Sequence, residues 1–148
     1  MSRTETTLRT PIQKTALVVS AVFALVGIAG FVPGLTTDYD ALELAGHESH
    51  AMLLGLFTVS VLHNIVHLAF GFVGFVMSRT VNGAYWYLVG GGVVYLLLFL
   101  YGLVIDHGSE ANFVPLNVAD NWLHLFLGVA MIGLGLVVNR RHTARGRR

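Results

Sequence analysis

The sequence predicts an all-α fold, an integral membrane four-helix bundle, and three observations point there together. The chain is 55% hydrophobic and only 11% charged, with a mean hydropathy of +0.70, whereas soluble domains carry about 25% charged residues. Four apolar stretches are each long enough to cross roughly 30 Å of hydrocarbon, which takes about 20 helical residues. All nine basic residues fall on one side of those stretches, which is the distribution that membrane insertion imposes.

The spans are predicted at about 15–35, 51–77, 84–105 and 118–138, inside a single membrane domain covering 1–148, with 139–148 as a basic cytoplasmic tail. The first stretch follows Arg3, Arg9 and Lys14 as a signal peptide would, but its apolar run is too long for a signal core and no small-residue cleavage site stands out, so it reads as a retained helix. The second is longer than one crossing needs and should tilt or project beyond the bilayer. Ser49 or Asp40 is expected to cap it. The third opens with Tyr85, Trp86 and Tyr87, which read as headgroup-level aromatic residues, and it contains Gly90-Gly91-Gly92, which would permit a close crossing. The fourth runs into Arg140, Arg141, Arg145, Arg147 and Arg148, a segment suited to anionic lipid.

Orientation follows from charge. Arg3, Arg9 and Lys14, then Arg79, then the tail arginines occupy one side, whereas Asp38, Asp40, Glu43, Glu48, Asp106, Glu110 and Asp120 lie in or beside the opposite loops. Both termini are therefore predicted on the cytoplasmic side of a plasma membrane. A net charge of +1 without a basic face argues against a nucleic-acid partner, and the absence of cysteine removes disulfides and thiolate chemistry.

The polar residues inside the spans carry the chemistry. Helix two contains Asn64-Ile65-Val66-His67-Leu68-Ala69-Phe70-Gly71 and helix four Asn121-Trp122-Leu123-His124-Leu125-Phe126-Leu127-Gly128, so Asn, His, Leu and Gly recur at identical spacing. Both helices run in the same direction, which suggests two helical hairpins related as a parallel repeat. On a helix, Ser60, His63, Asn64, His67, Gly71 and Gly74 share one face, as do Asn117, Asp120, Asn121, His124, Gly128 and Gly135. In lipid such faces turn toward each other or toward the bundle interior, because an unsatisfied polar group costs several kcal/mol in hydrocarbon.

These Asn-x-x-His-Leu-x-x-Gly segments, with the four-helix layout and the arginine-rich tail, resemble an uncharacterised bacterial membrane protein family, domain of unknown function 4383, over about Lys14 to Arg140. The resemblance implies a four-helix bacterial membrane protein and no particular activity.

Three readings of the inward residues stand open. The first is a structural or accessory subunit, in which Asn64, Gly71, Asn121 and Gly128 pack helices and the protein meets lipid, other membrane proteins or a second copy of itself. The second is an intramembrane cofactor site. His63, His67, His124 and Asp120 could close a tetrahedral shell around a transition metal such as zinc, or His67 and His124 could ligate a b-type haem between helices. The third is passage of protons or a small solute past ionisable residues within the membrane. In the loop before helix two, His47-Glu48-Ser49-His50 departs from the His-Glu-x-x-His zinc-protease signature, and it reads as a solvated helix start. No serine sits in a nucleophile-elbow pattern and no glycine run resembles a phosphate loop, so an enzyme is the less favoured class.

Overall fold

A computed structural model describes residues 9–145, with side chains through Arg140. Arg3 and the last three residues of the basic tail lie outside the described residues, as do the side chains of Arg141 and Arg145. Four helices form, α1 (Pro11–Ala29), α2 (Val61–Met77), α3 (Val81–Val104) and α4 (Val118–Arg145), with a small antiparallel sheet of β1 (Thr36–Thr37), β2 (Met52–Leu53) and β3 (Phe57–Thr58) between α1 and α2.

Helix limits follow from local chemistry. Pro11 opens α1 at the one turn where a missing N–H costs nothing, and Thr10 N donates to Gln13 Oε1 at 3.0 Å. The helix ends at Ala29 instead of continuing to residue 35, because Pro33 cannot continue it and the following residues close turns back onto its last carbonyls. Ser60 and Thr80 accept hydrogen bonds from His63 N and Gly83 N and so start α2 and α3. At α4 the capping is reciprocal: Asp120 N donates to Asn117 Oδ1 at 3.0 Å and Asn117 N to Asp120 Oδ2 at 2.9 Å.

The second span departs most from expectation. Residues 51–60 form the β2–β3 hairpin, and α2 holds only 17 residues, at the short end of the spanning range of about 17–25. Leu54 and Gly55 take positive φ, 53° and 66°, which turns the chain where a helix would have run on. Distant partners hold this turn. Thr58 N donates to Asp120 Oδ2 at 2.9 Å, and Asn117 Nδ2 donates to Leu56 O at 2.9 Å and Thr58 Oγ1 at 3.0 Å. The expected caps are also corrected. Ser49 is buried, accepting from Glu43 N and donating to Val59 O, Asp40 lies in a short 3₁₀ turn, and Ser60 is the residue that caps α2.

Three helices, α1, α3 and α4, are long and apolar enough to cross a membrane, and the bundle is apolar outside and polar within. Val18, Leu25, Phe72, Leu97, Val104, Trp122 and Phe126 are exposed, whereas Ser20, His63, Asn64, His67, Asp120, Asn121 and His124 are buried. That inversion is what a hydrocarbon solvent selects. α1 packs chiefly on α2 and α3 chiefly on α4. Ile12, Ala16, Phe23, Ala84, Tyr87, Leu88, Tyr95 and Met131 form the core that joins the two hairpins. Tyr87 therefore belongs to the interior and not to a headgroup belt; its ring fills the space beside Gly74, while Trp86 faces outward.

Candidate functional site

The two polar faces do not zip against each other. Gly71 and Gly128 each pack inside their own hairpin, whereas Gly74 of α2 meets Tyr87 of α3. A Cβ added at Gly71 would stand 2.8 Å from Ser20 O and Ala24 N of α1, and one at Gly128 would stand 2.9 Å from Gly92 O and 2.6 Å from Leu96 Cδ2 of α3. At the end nearer the sheet, a Cβ on Gly30 would meet the Asn64 amide, and one on Gly102 the Asn121 amide. The asparagines and glycines that the sequence singled out, Asn64, Gly71, Asn121 and Gly128, are therefore where the helices of each hairpin approach most closely.

These contacts extend the repeat to the first helix of each hairpin. Asn64, His67 and Gly71 correspond to Asn121, His124 and Gly128 at one constant offset, and Ser20, Phe23, Ala24 and Gly30 correspond to Gly92, Tyr95, Leu96 and Gly102 at another. The two hairpins meet through an equivalent pair, the stacked rings of Phe23 and Tyr95, 5.3 Å apart. Each ring meets its own hairpin's histidine edge-on, Phe23 with His67 at 5.7 Å and Tyr95 with His124 at 5.4 Å. His63 lies 4.6 Å from His67, which makes one chain of rings across the bundle: His63, His67, Phe23, Tyr95, His124. Phe23 and Tyr95 were absent from the sequence-derived set. Their signal was available, since Phe23 precedes Gly30 by the same spacing as Tyr95 precedes Gly102.

Two cavities border this chain and share His63, His67, Tyr95 and His124. One, of about 130 Å³, lies between α2 and α3 beneath Phe113 and Pro115; the other, of about 110 Å³, lies between α1 and α4 beneath Leu53, Phe57 and Val59. The repeat relates them, His63 and Val66 of the first standing where Asp120 and Leu123 stand in the second.

The polar atoms around the cavities fall into two groups. His63 Nδ1 bonds to Pro115 O at 3.2 Å, and Asp120 Oδ2 is committed to Thr58 N and Asn117 N. By contrast His67 Nδ1, His124 Nδ1, Asn64 Nδ2 and Asn121 Oδ1 are buried without a hydrogen-bond partner. Among the described residues no three histidine, aspartate or glutamate side chains are spaced as a ligand set for a metal ion. The loop over the first cavity is held rigidly. Asn112 Nδ2 donates to His107 O at 2.9 Å and Leu116 O at 3.1 Å, Asn112 Oδ1 accepts from Leu116 N at 3.0 Å, and Tyr101 donates to Ala111 O at 2.6 Å. In the first loop, the half-buried His47 places Nε2 3.2 Å from Oε1 of its exposed neighbour Glu48.

Compared with known proteins, residues 13–137 match the model of one family, described as Domain of unknown function (DUF4383). No curated protein and no solved structure matches the chain.

Proposed function

The chain belongs to the family described as domain of unknown function 4383, whose model covers most of its length, and we propose from its own residues that it is a multi-pass membrane protein built to hold a small, mostly apolar molecule among His63, His67 and His124. The observation that carries this reading is the shared pair of cavities, walled by apolar side chains and crossed by histidines from both hairpins. Ligand sites have this make-up, largely apolar walls with a few convergent polar groups.

Packing alone accounts for these side chains less well. A histidine or asparagine kept to join helices would be expected to bond across them, and an orphaned buried polar atom costs about 1–3 kcal/mol. His67 and His124, which line both cavities, each leave such an atom open. A structural or accessory subunit packed through the polar and glycine faces of α2 and α4 accounts for Gly71 and Gly128, which meet α1 and α3, but not for the cavities beside the histidines. As for a cofactor, volumes of about 130 and 110 Å³ fall well below the roughly 300–1,000 Å³ of usual ligand sites, which favours a guest much smaller than a macrocycle.

Both termini are proposed to face the cytoplasm. Lys14 and Arg79 support this, because the start of α1 is tied to the α2–α3 turn by Gln13 Nε2 donating to Arg79 O at 2.7 Å, which gathers basic residues at the end of the bundle away from the sheet.

The test is extraction of the purified protein, reconstituted in lipid nanodiscs, with mass spectrometry of what is released, alongside a visible spectrum and metal analysis. One small molecule per chain is expected, lost in His67→Phe and His124→Phe variants that retain their helical circular dichroism. A wild-type protein that carries nothing at stoichiometry, and whose histidine ring ¹⁵N signals respond to no added small molecule, would refute the reading.

A further inference from the structure

The two cavities are related by the repeat, yet they differ in ways that select one of them and a ligand class for it. Resting on the binding function proposed above, we infer that the cavity between α2 and α3 takes the single-ring headgroup of a membrane-soluble phenol, which enters sideways from the lipid and donates its hydroxyl to His63 Nε2.

Size comes first. A cavity of about 130 Å³ is close to the roughly 150 Å³ of an apolar protein cavity known to admit benzene. One six-membered ring is therefore the natural guest. The walls suit an aromatic face, with Tyr95 and His124 meeting edge-to-face at 5.4 Å on one side.

Hydrogen-bond chemistry then sets polarity. Pro115 O can only accept, so the proton of a neutral His63 ring sits on Nδ1, 3.2 Å away. Nε2 is left as an acceptor in a ring that borders the cavity. A guest that bonds at His63 Nε2 must bring a donor, which a phenolic hydroxyl does and an ether or a carbonyl does not. The carbonyl that fixes this tautomer belongs to the loop anchored by Asn112, so the acceptor is built into the fold.

The rims of the two cavities differ. The α2–α3 cavity is bordered by Val66, Leu98 and Phe113, which are 45%, 37% and 57% exposed on the apolar surface of the bundle. An apolar tail can leave there without crossing polar protein. At the related cavity the β2–β3 hairpin lies over the space, with Leu53 and Val59 buried and Leu54 exposed at the rim, and Asp120, in the place of His63, already accepts two backbone N–H groups, which leaves no free imidazole acceptor at that position.

The experiment uses the full chain in phosphatidylcholine nanodiscs, with protein-free nanodiscs as the partition control, and equilibrium dialysis of 4-decylphenol against its O-methyl ether. The ether keeps ring and tail and lacks only the donor. One phenol per chain is expected, bound at least tenfold more tightly than the ether, a difference of about 1.4 kcal/mol. His63→Phe should bring the two within twofold. Leu98→Trp, a change on the lipid face that spares the core, should block the phenol, and Val26→Trp at the other cavity should leave it bound. Equal affinity for phenol and ether, no phenol binding, or blockage by Val26→Trp and not Leu98→Trp would overturn the inference. If another small molecule is found at stoichiometry while the phenol fails, the binding function stands and the ligand class falls.

Discussion

Replacing Gly71 by alanine tests the hairpin geometry directly. The added methyl would stand 2.8 Å from two backbone atoms of α1, Ser20 O and Ala24 N, whereas ordinary contact begins near 3.4 Å. Neither atom can swing aside as a side-chain end would, so α1 and α2 must part locally by about the difference. Overpacking of this kind costs roughly 1–3 kcal/mol. Alanine recovers some of that through helix propensity, worth up to about 1 kcal/mol. Gly133→Ala on α4 provides the control, because nothing lies within 4 Å of its added Cβ; it should be neutral or stabilising by up to about 1 kcal/mol. The two variants should therefore differ by about 2 kcal/mol, which is about 4–8 °C in midpoint for a chain of this size. Thermal unfolding in dodecyl maltoside, followed by the fluorescence of Trp86 and Trp122, measures it. The repeat adds a constraint: Gly128→Ala, 2.9 Å from Gly92 O, should fall on the same side as Gly71→Ala. If Gly71→Ala and Gly133→Ala shift the midpoint equally, close approach of α1 and α2 is not what that glycine provides.

Asp120→Ala removes one partner of the α4 capping box and the tie to Thr58 N together; a loss of about 1–2 kcal/mol is expected, with accelerated amide exchange at residues 56–58, and unchanged exchange there would contradict the tie. Ser60→Ala should cost about 1 kcal/mol through the α2 cap alone, measured by the same thermal unfolding, whereas Ser49→Ala should disturb the sheet end through Val59 and Glu43. Because the chain has no cysteine, single cysteines report topology without background. Ser109→Cys should react with a membrane-impermeant maleimide in intact cells and Arg79→Cys only after lysis; the reverse pattern would invert the proposed orientation.

Much of the fold was legible because hydrocarbon imposes simple rules. Apolar runs, the segregation of Arg and Lys, and the Asn-x-x-His-Leu-x-x-Gly repeat are local or periodic signals, and they led to four helices with the polar faces of α2 and α4 turned inward. The failures share a cause. Residues 51–60 are as apolar as a membrane helix, and much of what binds their backbone as a hairpin comes from outside the segment, from β1 and Ser49 before it and from Asn117 and Asp120 far along the chain. Tyr87 resembled a belt residue until Gly74 gave its ring a place inside. The equivalence of Phe23 with Tyr95 left only a faint trace, their equal spacing to Gly30 and Gly102, because α1 and α3 repeat their contacts and not their residue types.

By itself, then, the sequence determined the apolar character of the spans, the number of helices, which faces carry polar groups and which histidines lie buried within the bundle, since each of these depends on composition and on the helical period. Only the tertiary structure decided that Gly71 of α2 meets α1 and Gly128 of α4 meets α3, that His63, His67 and His124 surround two cavities related by the repeat, and that one of these lies beneath Phe113 and Pro115 and the other beneath the β2–β3 hairpin. The physical reason is that helix pairing and cavity shape depend on atoms far apart in the chain. Gly30 against Asn64, Gly102 against Asn121, and Pro115 against His63 are meetings that no local pattern encodes.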